Sequence, residues 1–498
     1  RLMCERGVMQ YIDAVGIHGY PGTFEFWWDG WNAKIARVRR VLLQHRSKAE
    51  IWITETGYST WRHDERGQIS AFIDVMRAPA ERVYWYGAHD LDATQFPDEN
   101  RFYSDEREHH FGLRRGDGSE KLLFRLLAHG GVEAVENSAW VGKTAIGTRT
   151  RKRPVLITGG CGFIGCNLAH ALCTKRQPVL VYDNLSRPGV ERNAEWLRDL
   201  YGEMVQIEVA DTRDPHSLAD SVRQAAAVFH CAAQVAVTSS LTAPMYDFDV
   251  NARSTLNLLE ALRELRNPPP LIFTSTNKVY GSLDDLDLRL NGDRYEPVDE
   301  TIQASGISED QRLDFYSPYG CSKGAADQYI LDYARIFGLP AVVFRMSCIY
   351  GPHQFGTEDQ GWVAHFLINA LEQQSITVYG DGKQVRDVLF IDDLIKALLL
   401  ARKYIRTLSG QVFNLGGGVD NTTSLLELLA LISQLNESKP QIKFANWRPG
   451  DQRYYVTNFS KFHTATGWSP RVPMLEGVRR LYDWLRDARV PKERVAVG

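Results

Sequence analysis

Two side chains capable of acid–base chemistry stand four residues apart in the segment FYSPYGCSKGAADQY, namely Tyr319 and Lys323. On a helix this spacing puts both on one face, and Ser317 and Pro318 are typical of a helix start. A free tyrosine has a pKa of about 10, but a neighbouring ammonium group favours the phenolate. The pair is predicted to take a proton from a hydroxyl group as hydride leaves the adjacent carbon. Taken alone, the same spacing also fits two surface residues of a helix.

Glycines recur at every third position of the segment LITGGCGFIG, at Gly159, Gly162 and Gly165, between an apolar run and a helical pattern. The first glycine permits a tight turn, the second lets the backbone approach a pyrophosphate, and the third lets the helix pack closely on the sheet. At the helix start, Phe163 and Ile164 lie where backbone N–H groups face phosphates. A glycine turn in some other α/β protein is the alternative interpretation.

Acidic residues follow the next two apolar runs. Asp183 and Asn184 end the segment VYDN, where a carboxylate would hold the ribose hydroxyls of an adenosine. Because a carboxylate repels a 2′-phosphate, the cofactor is predicted to be NAD rather than NADP, although Arg187 nearby slightly favours a phosphate. Asp211 after the third run is interpreted either as a contact of the adenine ring or as a loop-capping carboxylate.

The elements that must position these groups alternate regularly from Pro154 onward. Helical patterns separate six apolar runs that are typical of strands buried on both faces: PVLIT, PVLVYD, VQIEVAD, AVFHCAA, PLIFTST and PAVVFRM. This alternation predicts an α/β fold with a Rossmann-like doubly wound parallel sheet. After about Tyr350 the pattern changes to mixed elements, which are predicted to form a small C-terminal substrate lobe: SITVYG, DDLIKALLLA and GQVFNLGGG.

With these motifs, residues 153–490 resemble an extended short-chain dehydrogenase/reductase, the fold of nucleotide-sugar epimerases and dehydratases. The resemblance implies that Thr276 in FTSTNKVYG hydrogen-bonds the substrate hydroxyl, Tyr319 acts as base and Lys323 holds the nicotinamide ribose. The segments KQVRDVLFIDDL and WRPGDQR are similar to the diphosphate- and nucleoside-binding segments of that family. Surface solvation is the alternative for their arginines. The implied substrate-binding residues are Asn277, Arg386, Arg448 and Asp451.

The residues after Thr276 bear on the reaction. Dehydratases of this family carry an acidic residue there, because a second proton must leave carbon, whereas this chain has Asn277 and Lys278. The segments around them, together with Cys348 in FRMSCIYGPHQFG, are similar to the CDP-tyvelose (CDP-paratose) 2-epimerases. This resemblance implies NAD-dependent epimerisation at C2 through a keto intermediate, of the CDP-paratose to CDP-tyvelose type.

Other functions stay open on the sequence alone. One alternative is a nucleotide-sugar 4-epimerase, and another is an epimerase fused to a glycoside hydrolase that is active only in a longer chain. A non-enzymatic, nucleotide-bound structural or regulatory protein is a third, against which Thr276, Tyr319 and Lys323 argue.

The first 125 residues have a separate rhythm of three strands, YIDAVGIHGYP, EIWITETGYS and RVYWYGAHD. They resemble the last strands of a retaining glycoside hydrolase (β/α) barrel, in which Glu55 matches the nucleophile; a strand-end glutamate without a catalytic role is the alternative. Retaining hydrolysis needs a second carboxyl group about 5 Å away, and three strands cannot close a barrel. We therefore expect a partial barrel segment, truncated or vestigial, without hydrolase activity. Weak substitutes for the missing acid are Glu25, Asp29, Asp90 and Asp92.

Composition bounds the remaining possibilities. The 498 residues predict two or three domains, here residues 1–125, a linker over 126–152 and the domain over 153–490. The chain begins at Arg1 rather than Met, so the native start is expected to be missing. A net charge of −3 favours neither nucleic acid nor a membrane surface. The seven cysteines form no C-x-x-C pair, which predicts no metal site and a reducing, cytoplasmic location. We expect a homo-oligomer that binds a nucleotide sugar.

Overall fold

The computed structural model describes residues 2–25, 27–91, 106–116, 118–136, 152–187, 189–436 and 439–487. The chain divides into two compact units, one built mainly from residues 1–144 and the other mainly from residues 145–498. Each unit has a parallel sheet of its own and apolar side chains buried around that sheet.

The first unit contains a three-stranded parallel sheet in the order β1-β2-β3, which confirms the three strands expected from the sequence. Ile51 and Ile53 of the central strand are buried against Trp31 and Ile35 of the first long helix. The strands are β1 (Ala14–Gly19), β2 (Glu50–Thr56) and β3 (Arg82–Trp85), and the helices are α1 (Leu2–Glu5), α2 (Trp31–Gln44), α3 (Glu65–Met76) and α4 (Leu122–Glu136).

Helix α4 occupies the first part of the segment that the sequence analysis interprets as a linker. Leu122 and Val135 are fully buried, and the helix packs against α3. Apolar residues at helical spacing therefore outweigh the two glycines, Gly130 and Gly131, at which the helix only kinks. The linker interpretation is wrong for residues 126–136, and residues 137–151 lie outside the described part of the chain.

The second unit is built around a seven-stranded sheet in the order β15-β11-β8-β7-β4-β5-β6. The pairs from β15 to β5 all run parallel, which confirms the Rossmann-like sheet. The chain order reverses between β4 and β7, and ligands bind at such switch points of doubly wound sheets. The strands are β4 (Val155–Thr158), β5 (Val179–Asp183), β6 (Val205–Val209), β7 (Ala227–His230), β8 (Leu271–Thr276), β11 (Ala341–Met346) and β15 (Gln411–Leu415).

Two elements that the sequence assigns to the C-terminal lobe are part of the main α/β unit instead: one is a strand of the seven-stranded sheet, and the other is a helix that packs against it. Strand β15, from the segment GQVFNLGGG, is an edge strand that pairs with β11 and buries Phe413 and Leu415. Helix α14 (Ile391–Lys403), from the segment DDLIKALLLA, packs against α5 and β8. The chain therefore returns from the lobe to the main sheet, because these apolar residues find their burial there.

The C-terminal lobe consists of small sheets. Strands β9 and β10 form an antiparallel pair, β13 and β17 form a parallel pair, and β12, β14, β16 and β18 form a third sheet. Their bounds are β9 (Leu288–Asn291), β10 (Arg294–Pro297), β12 (Cys348–Tyr350), β13 (Ile376–Tyr379), β14 (Val385–Phe390), β16 (Thr422–Ser424), β17 (Ile442–Ala445) and β18 (Tyr454–Tyr455).

Helix α12 (Pro318–Phe337) carries Tyr319 and Lys323 and starts where the sequence predicts. The Ser317 hydroxyl accepts a hydrogen bond from the Gly320 N–H, which satisfies one of the free donors of the first turn. The other helices of this unit are α5 (Phe163–Thr174), α6 (Val190–Tyr201), α7 (Pro215–Gln224), α8 (Val237–Thr242), α9 (Pro244–Phe248), α10 (Ser254–Arg263), α11 (Glu300–Ser305), α13 (Trp362–Leu371), α15 (Ile405–Leu408), α16 (Leu425–Leu435), α17 (Ser460–Thr466) and α18 (Met474–Asp487).

Candidate active site

The glycine loop joins β4 to α5 in a turn that tolerates little side-chain volume. Gly159 has a φ of 65°, and a Cβ atom there would lie 2.7 Å from the Ala232 backbone nitrogen. A Cβ atom on Gly165 would collide with the Gly159 carbonyl oxygen. Gly162 immediately precedes the helix, which begins at Phe163. The loop thus leaves the helix N-terminus open to a phosphate group.

Acidic and amide side chains follow the neighbouring strands β5 and β6. The Asp183 carboxylate accepts a hydrogen bond of 3.0 Å from the Cys161 N–H in the glycine loop. The buried Asp211 carboxylate accepts one of 2.7 Å from the Asn184 side chain. The first of these contacts fixes the Asp183 carboxylate beside the loop.

The residues present fit a bound NAD. The glycine cradle would be filled by any added Cβ atom, the Asp183 carboxylate stands beside it, and Tyr319 and Lys323 are buried on α12. In this arrangement the loop would hold the pyrophosphate, Asp183 the adenosine ribose, and Lys323 the nicotinamide ribose.

We expect the chain to bind NAD at least about tenfold more tightly than NADP, because the Asp183 carboxylate would face a 2′-phosphate dianion. Asp183→Asn keeps the shape of the side chain and should narrow the difference. Calorimetry with both dinucleotides measures it. Asp199→Asn on the exposed side of α6 is the control that should change neither affinity. Equal affinity of the unmodified chain for NAD and NADP would remove Asp183 from this role.

The catalytic candidates converge at one end of a cavity of about 370 Å³. Thr276 ends β8, and its hydroxyl accepts a hydrogen bond of 3.2 Å from the Lys278 N–H and donates one of 3.4 Å to the Asn277 side chain. It also lies close enough to the Tyr319 hydroxyl to lower the pKa of that group. The Lys323 ammonium donates to the Thr274 carbonyl oxygen at 2.8 Å and lies 4.2 Å from the centre of the Phe273 ring. A hydroxyl group of a ligand can therefore meet Thr276 and Tyr319 together.

The pKa values of Tyr319 and Lys323 differ from the expectation that a neighbouring ammonium group lowers the pKa of the tyrosine. Burial raises the pKa of Tyr319 to about 12, the hydrogen bond from Thr276 lowers it and the charge of Asp247 raises it. Burial lowers the pKa of Lys323 to about 8. Among the described residues, Lys323 is not one of the groups that shift the pKa of Tyr319. Its ammonium donates a hydrogen bond to the Thr274 carbonyl oxygen instead. The phenolate therefore needs a further positive charge in the site, such as an oxidised nicotinamide ring.

The other end of the cavity collects the predicted substrate-binding residues. Arg386 donates to the Asp451 carboxylate at 2.8 Å. The Arg448 guanidinium lies 3.8 Å from the centre of the Tyr379 ring and 3.5 Å from the Asp359 carboxylate. Both arginines line the cavity; Arg386 is buried, whereas Arg448 is partly exposed.

The cavity therefore unites most of the predicted residues: Phe163, Ile164, Thr276, Asn277, Tyr319, Lys323, Cys348, Arg386, Arg448 and Asp451. The other cofactor-binding candidates lie at the neighbouring strand ends, outside its lining: Gly159, Gly162, Gly165, Asp183, Asn184 and Asp211.

Three hydrogen bonds of the candidate site could not be predicted from the sequence. The Gln452 side chain accepts a hydrogen bond of 3.3 Å from Asn277, and the Trp362 indole donates to the Cys348 sulfur at 3.3 Å. The Ser240 hydroxyl accepts a hydrogen bond of 3.1 Å from the Tyr319 N–H. No local pattern could have revealed these contacts, since each partner belongs to a different part of the chain.

In the first unit, Glu55 lies at the carboxyl end of β2. Its carboxylate accepts a short hydrogen bond from the Tyr20 hydroxyl and lies 3.7 Å from a ring nitrogen of His18. Three of the proposed substitute acids are paired with cations: Glu25 with Lys34, Asp29 with Arg37 and Asp90 with Lys121. Asp92 lies outside the described residues.

A parallel sheet with a glycine loop at its switch point, and a buried Tyr–Lys pair at the same edge, define an NAD-dependent Rossmann-fold enzyme. The chain belongs to the NAD dependent epimerase/dehydratase family, whose model matches residues 155–416. The domain is a nucleotide-sugar epimerase, which makes it an isomerase that uses NAD.

Two curated relatives are similar to the chain over this domain. The chain is 44% identical over 338 residues to a CDP-paratose 2-epimerase of Salmonella typhi, covering 66% of this chain and 98% of the relative. It is 30% identical over 348 residues to a dTDP-glucose 4,6-dehydratase of Escherichia coli, covering 66% of this chain and 92% of the relative.

Two solved structures are also similar. One is a Bacillus cereus UDP-glucuronic acid 4-epimerase in complex with UDP-glucuronic acid and NAD, with 27% identity and a TM-score of 0.58; the match covers 67% of this chain and 99% of that one. The other is a Thermus thermophilus UDP-glucose 4-epimerase in complex with NAD, with 31% identity, a TM-score of 0.56 and the same coverage. Across the described residues of this protein, no helix has the length and apolarity to cross a membrane.

Proposed function

We propose that the domain epimerises a CDP-linked sugar at C2, in a reaction of the CDP-paratose to CDP-tyvelose type. The observation that carries the proposal is the 44% identity to the CDP-paratose 2-epimerase over 98% of that enzyme's length. A putative UDP-glucose 4-epimerase of Methanocaldococcus jannaschii, matched over the same share of its length, is 28% identical.

In this proposal Tyr319 and Thr276 act on the C2 hydroxyl group of the substrate. The Tyr319 oxygen takes the hydroxyl proton while the C2 hydrogen leaves, and returns that proton when the carbonyl group is reduced again from the other face. Thr276 holds the reacting oxygen by a hydrogen bond. When bound, NAD supplies the hydride acceptor and donor, so that no net redox change occurs.

Lys323 has an orienting and electrostatic part in the same proposal. Its ammonium is held in the cavity by a hydrogen bond to the Thr274 carbonyl group. Burial lowers the pKa of Lys323 to about 8, so its ammonium is a cation at neutral pH that can hold the nicotinamide ribose without shifting the pKa of Tyr319.

Elimination of water fits the cavity less well. A dehydratase needs a free acidic residue just after Thr276, and this chain has Asn277 and Lys278 there. The cavity carboxylates of Asp451, Asp359 and Glu358 all pair with arginines. Oxidation followed by return of the same hydrogen remains the chemistry that these residues support.

A nucleotide-sugar 4-epimerase is the second candidate, because both similar structures described above are 4-epimerases. Incubation with CDP-, UDP- and dTDP-linked sugars, followed by NMR of the product, separates the two. Inversion at C2 of a CDP-linked sugar is the expected result. Inversion only at C4 would overturn the proposal.

We also propose that residues 1–125 are a partial glycoside hydrolase barrel without hydrolase activity. The support is a parallel three-stranded sheet with Glu55 at a strand end, and the pairing of Glu25, Asp29 and Asp90 with cations leaves these carboxylates unsuited as acids. We expect no hydrolysis of nitrophenyl glycosides and full epimerase activity in a chain that starts near Lys152. Hydrolysis by this chain that depends on Glu55 would refute the proposal.

A homo-oligomer in the cytoplasm is proposed as well. Tyr329, Ile336 and Phe337 expose large apolar side chains along α12, which is typical of a contact surface. All seven cysteines are unpaired, in keeping with a reducing compartment. Light scattering should give a multiple of the 56.5 kDa chain mass, and a monomer at micromolar concentration would contradict the oligomer.

A further inference from the structure

Lys278 lies between the two ends of the cavity and has no part in the mechanism above. It follows Thr276 by two residues in a 3-10 turn (Asn277–Tyr280). Its ammonium donates to the Gly450 carbonyl oxygen at 3.3 Å and lies 3.7 Å from the Asp451 carboxylate. The side chain thus extends from the reacting end toward the arginine-lined end.

Two cations share one carboxylate at this place. Asp451 Oδ1 accepts from Arg386 at 2.8 Å, and the same oxygen is the nearest anion recorded for the Lys278 ammonium. Asp451 can neutralise only one of the two charges. Lys278, Arg386 and Asp451 together therefore carry a net charge of +1, in a cavity where the Lys278 and Asp451 side chains are only partly exposed to water.

The surroundings make this charge costly without a ligand. Burial lowers the pKa of Lys278, the Asp451 charge raises it and the Arg386 charge lowers it further. An anion that contacts both cations would remove this cost and replace the long contact to Asp451 with a charge-assisted hydrogen bond. A neutral sugar hydroxyl would leave the excess charge in place.

The geometry points to Lys278 as a binding residue for the diphosphate of the nucleotide sugar, acting on the phosphoryl group nearer the sugar. This inference rests on the proposed function only in taking a nucleotide sugar as ligand. Arg386 and Lys278 then hold the diphosphate from two sides, while Thr276 and Tyr319 meet the sugar that it carries. The diphosphate sets how far the sugar reaches toward the reacting end.

Equilibrium binding of nucleoside phosphates to the full chain tests this assignment. Lys278→Met keeps most of the apolar length of the side chain and removes its charge, so that affinity for CDP should fall at least about tenfold. Affinity for CMP, which lacks the second phosphoryl group, should change by less than about twofold. Lys278→Arg should restore most of the preference for the diphosphate.

The same comparison with UDP and UMP, and with dTDP and dTMP, keeps the test independent of the base and of the reaction. Lys383→Met is the control, because that lysine donates to the exposed Gly292 carbonyl. NAD content and melting temperature check the fold, and Lys278→Gln is a second neutral variant. Unchanged diphosphate affinity, or equal losses for di- and monophosphates, would overturn the role of Lys278, even if inversion at C2 is found. Inversion at C4 alone would leave this inference standing and defeat only the proposed reaction.

Discussion

Replacing Tyr319 with phenylalanine is expected to lower turnover by about 10²-fold or more while NAD binding is kept. The variant keeps the buried ring on α12 and removes only the phenolic oxygen. Without it, the site loses the group that the proposal assigns to take and return the hydroxyl proton. Steady-state kinetics and the NAD content of the purified protein measure both effects.

Tyr333→Phe is the matched control for this variant. It removes a tyrosine hydroxyl from the same helix, where that group donates to Glu260, and it should leave turnover nearly unchanged. Turnover of Tyr319→Phe within about twofold of the control would mean that the phenolate is not the base.

Gly165→Ala should weaken NAD binding by about ten- to a hundredfold, since overpacking costs about 1–3 kcal/mol. The added methyl group would collide with the Gly159 carbonyl oxygen and approach the Gly160 Cα atom at 2.6 Å, so the loop must open. Calorimetry with NAD and the cofactor content after purification report the change.

Gly116→Ala provides the comparison, because a Cβ atom there would meet no atom within 4 Å. Its NAD affinity should equal that of the unmodified chain. If Gly165→Ala also binds NAD normally, the close packing of α5 on the loop is not what shapes the cofactor site.

Local signals predicted much of the sheet and the start of α12. The Ser317–Pro318 pair marks the helix start by capping chemistry that depends only on neighbours, and the continuous apolar runs give β4, β7 and β8. Such runs need no tertiary information, because strands buried on both faces are apolar throughout.

Long-range choices could not be predicted in the same way. The segment GQVFNLGGG has the pattern of a buried strand but nothing that tells which sheet it joins, and it became the edge strand β15. Helix α4 was missed because Gly130 and Gly131 looked like a loop, whereas packing against α3 keeps the segment helical. Tertiary burial outweighed local propensity in both cases.

The same distinction between local and long-range signals applies to the residues of the candidate site. Tyr319, Lys323 and the glycine loop are visible in sequence because their spacing is local. Lys278 and Asp451 are 173 residues apart, and only the fold shows that they share a cavity. The raised pKa of Tyr319 could not be predicted from the sequence either, because it depends on burial and on Asp247 from another helix.

The central claim is that the C2 hydrogen leaves and returns without exchange with water. The cavity offers a hydroxyl base in Tyr319. Its carboxylates are paired with cations and are not free to take a carbon-bound proton: Asp451 with Arg386 and Lys278, and Glu358 and Asp359 with Arg448. Turnover of the CDP-linked substrate in D₂O, followed by NMR of the product, is the most direct measurement. The account predicts an inverted C2 that carries no solvent deuterium, and full retention of deuterium from substrate labelled at C2. Substantial solvent deuterium at C2 would contradict it.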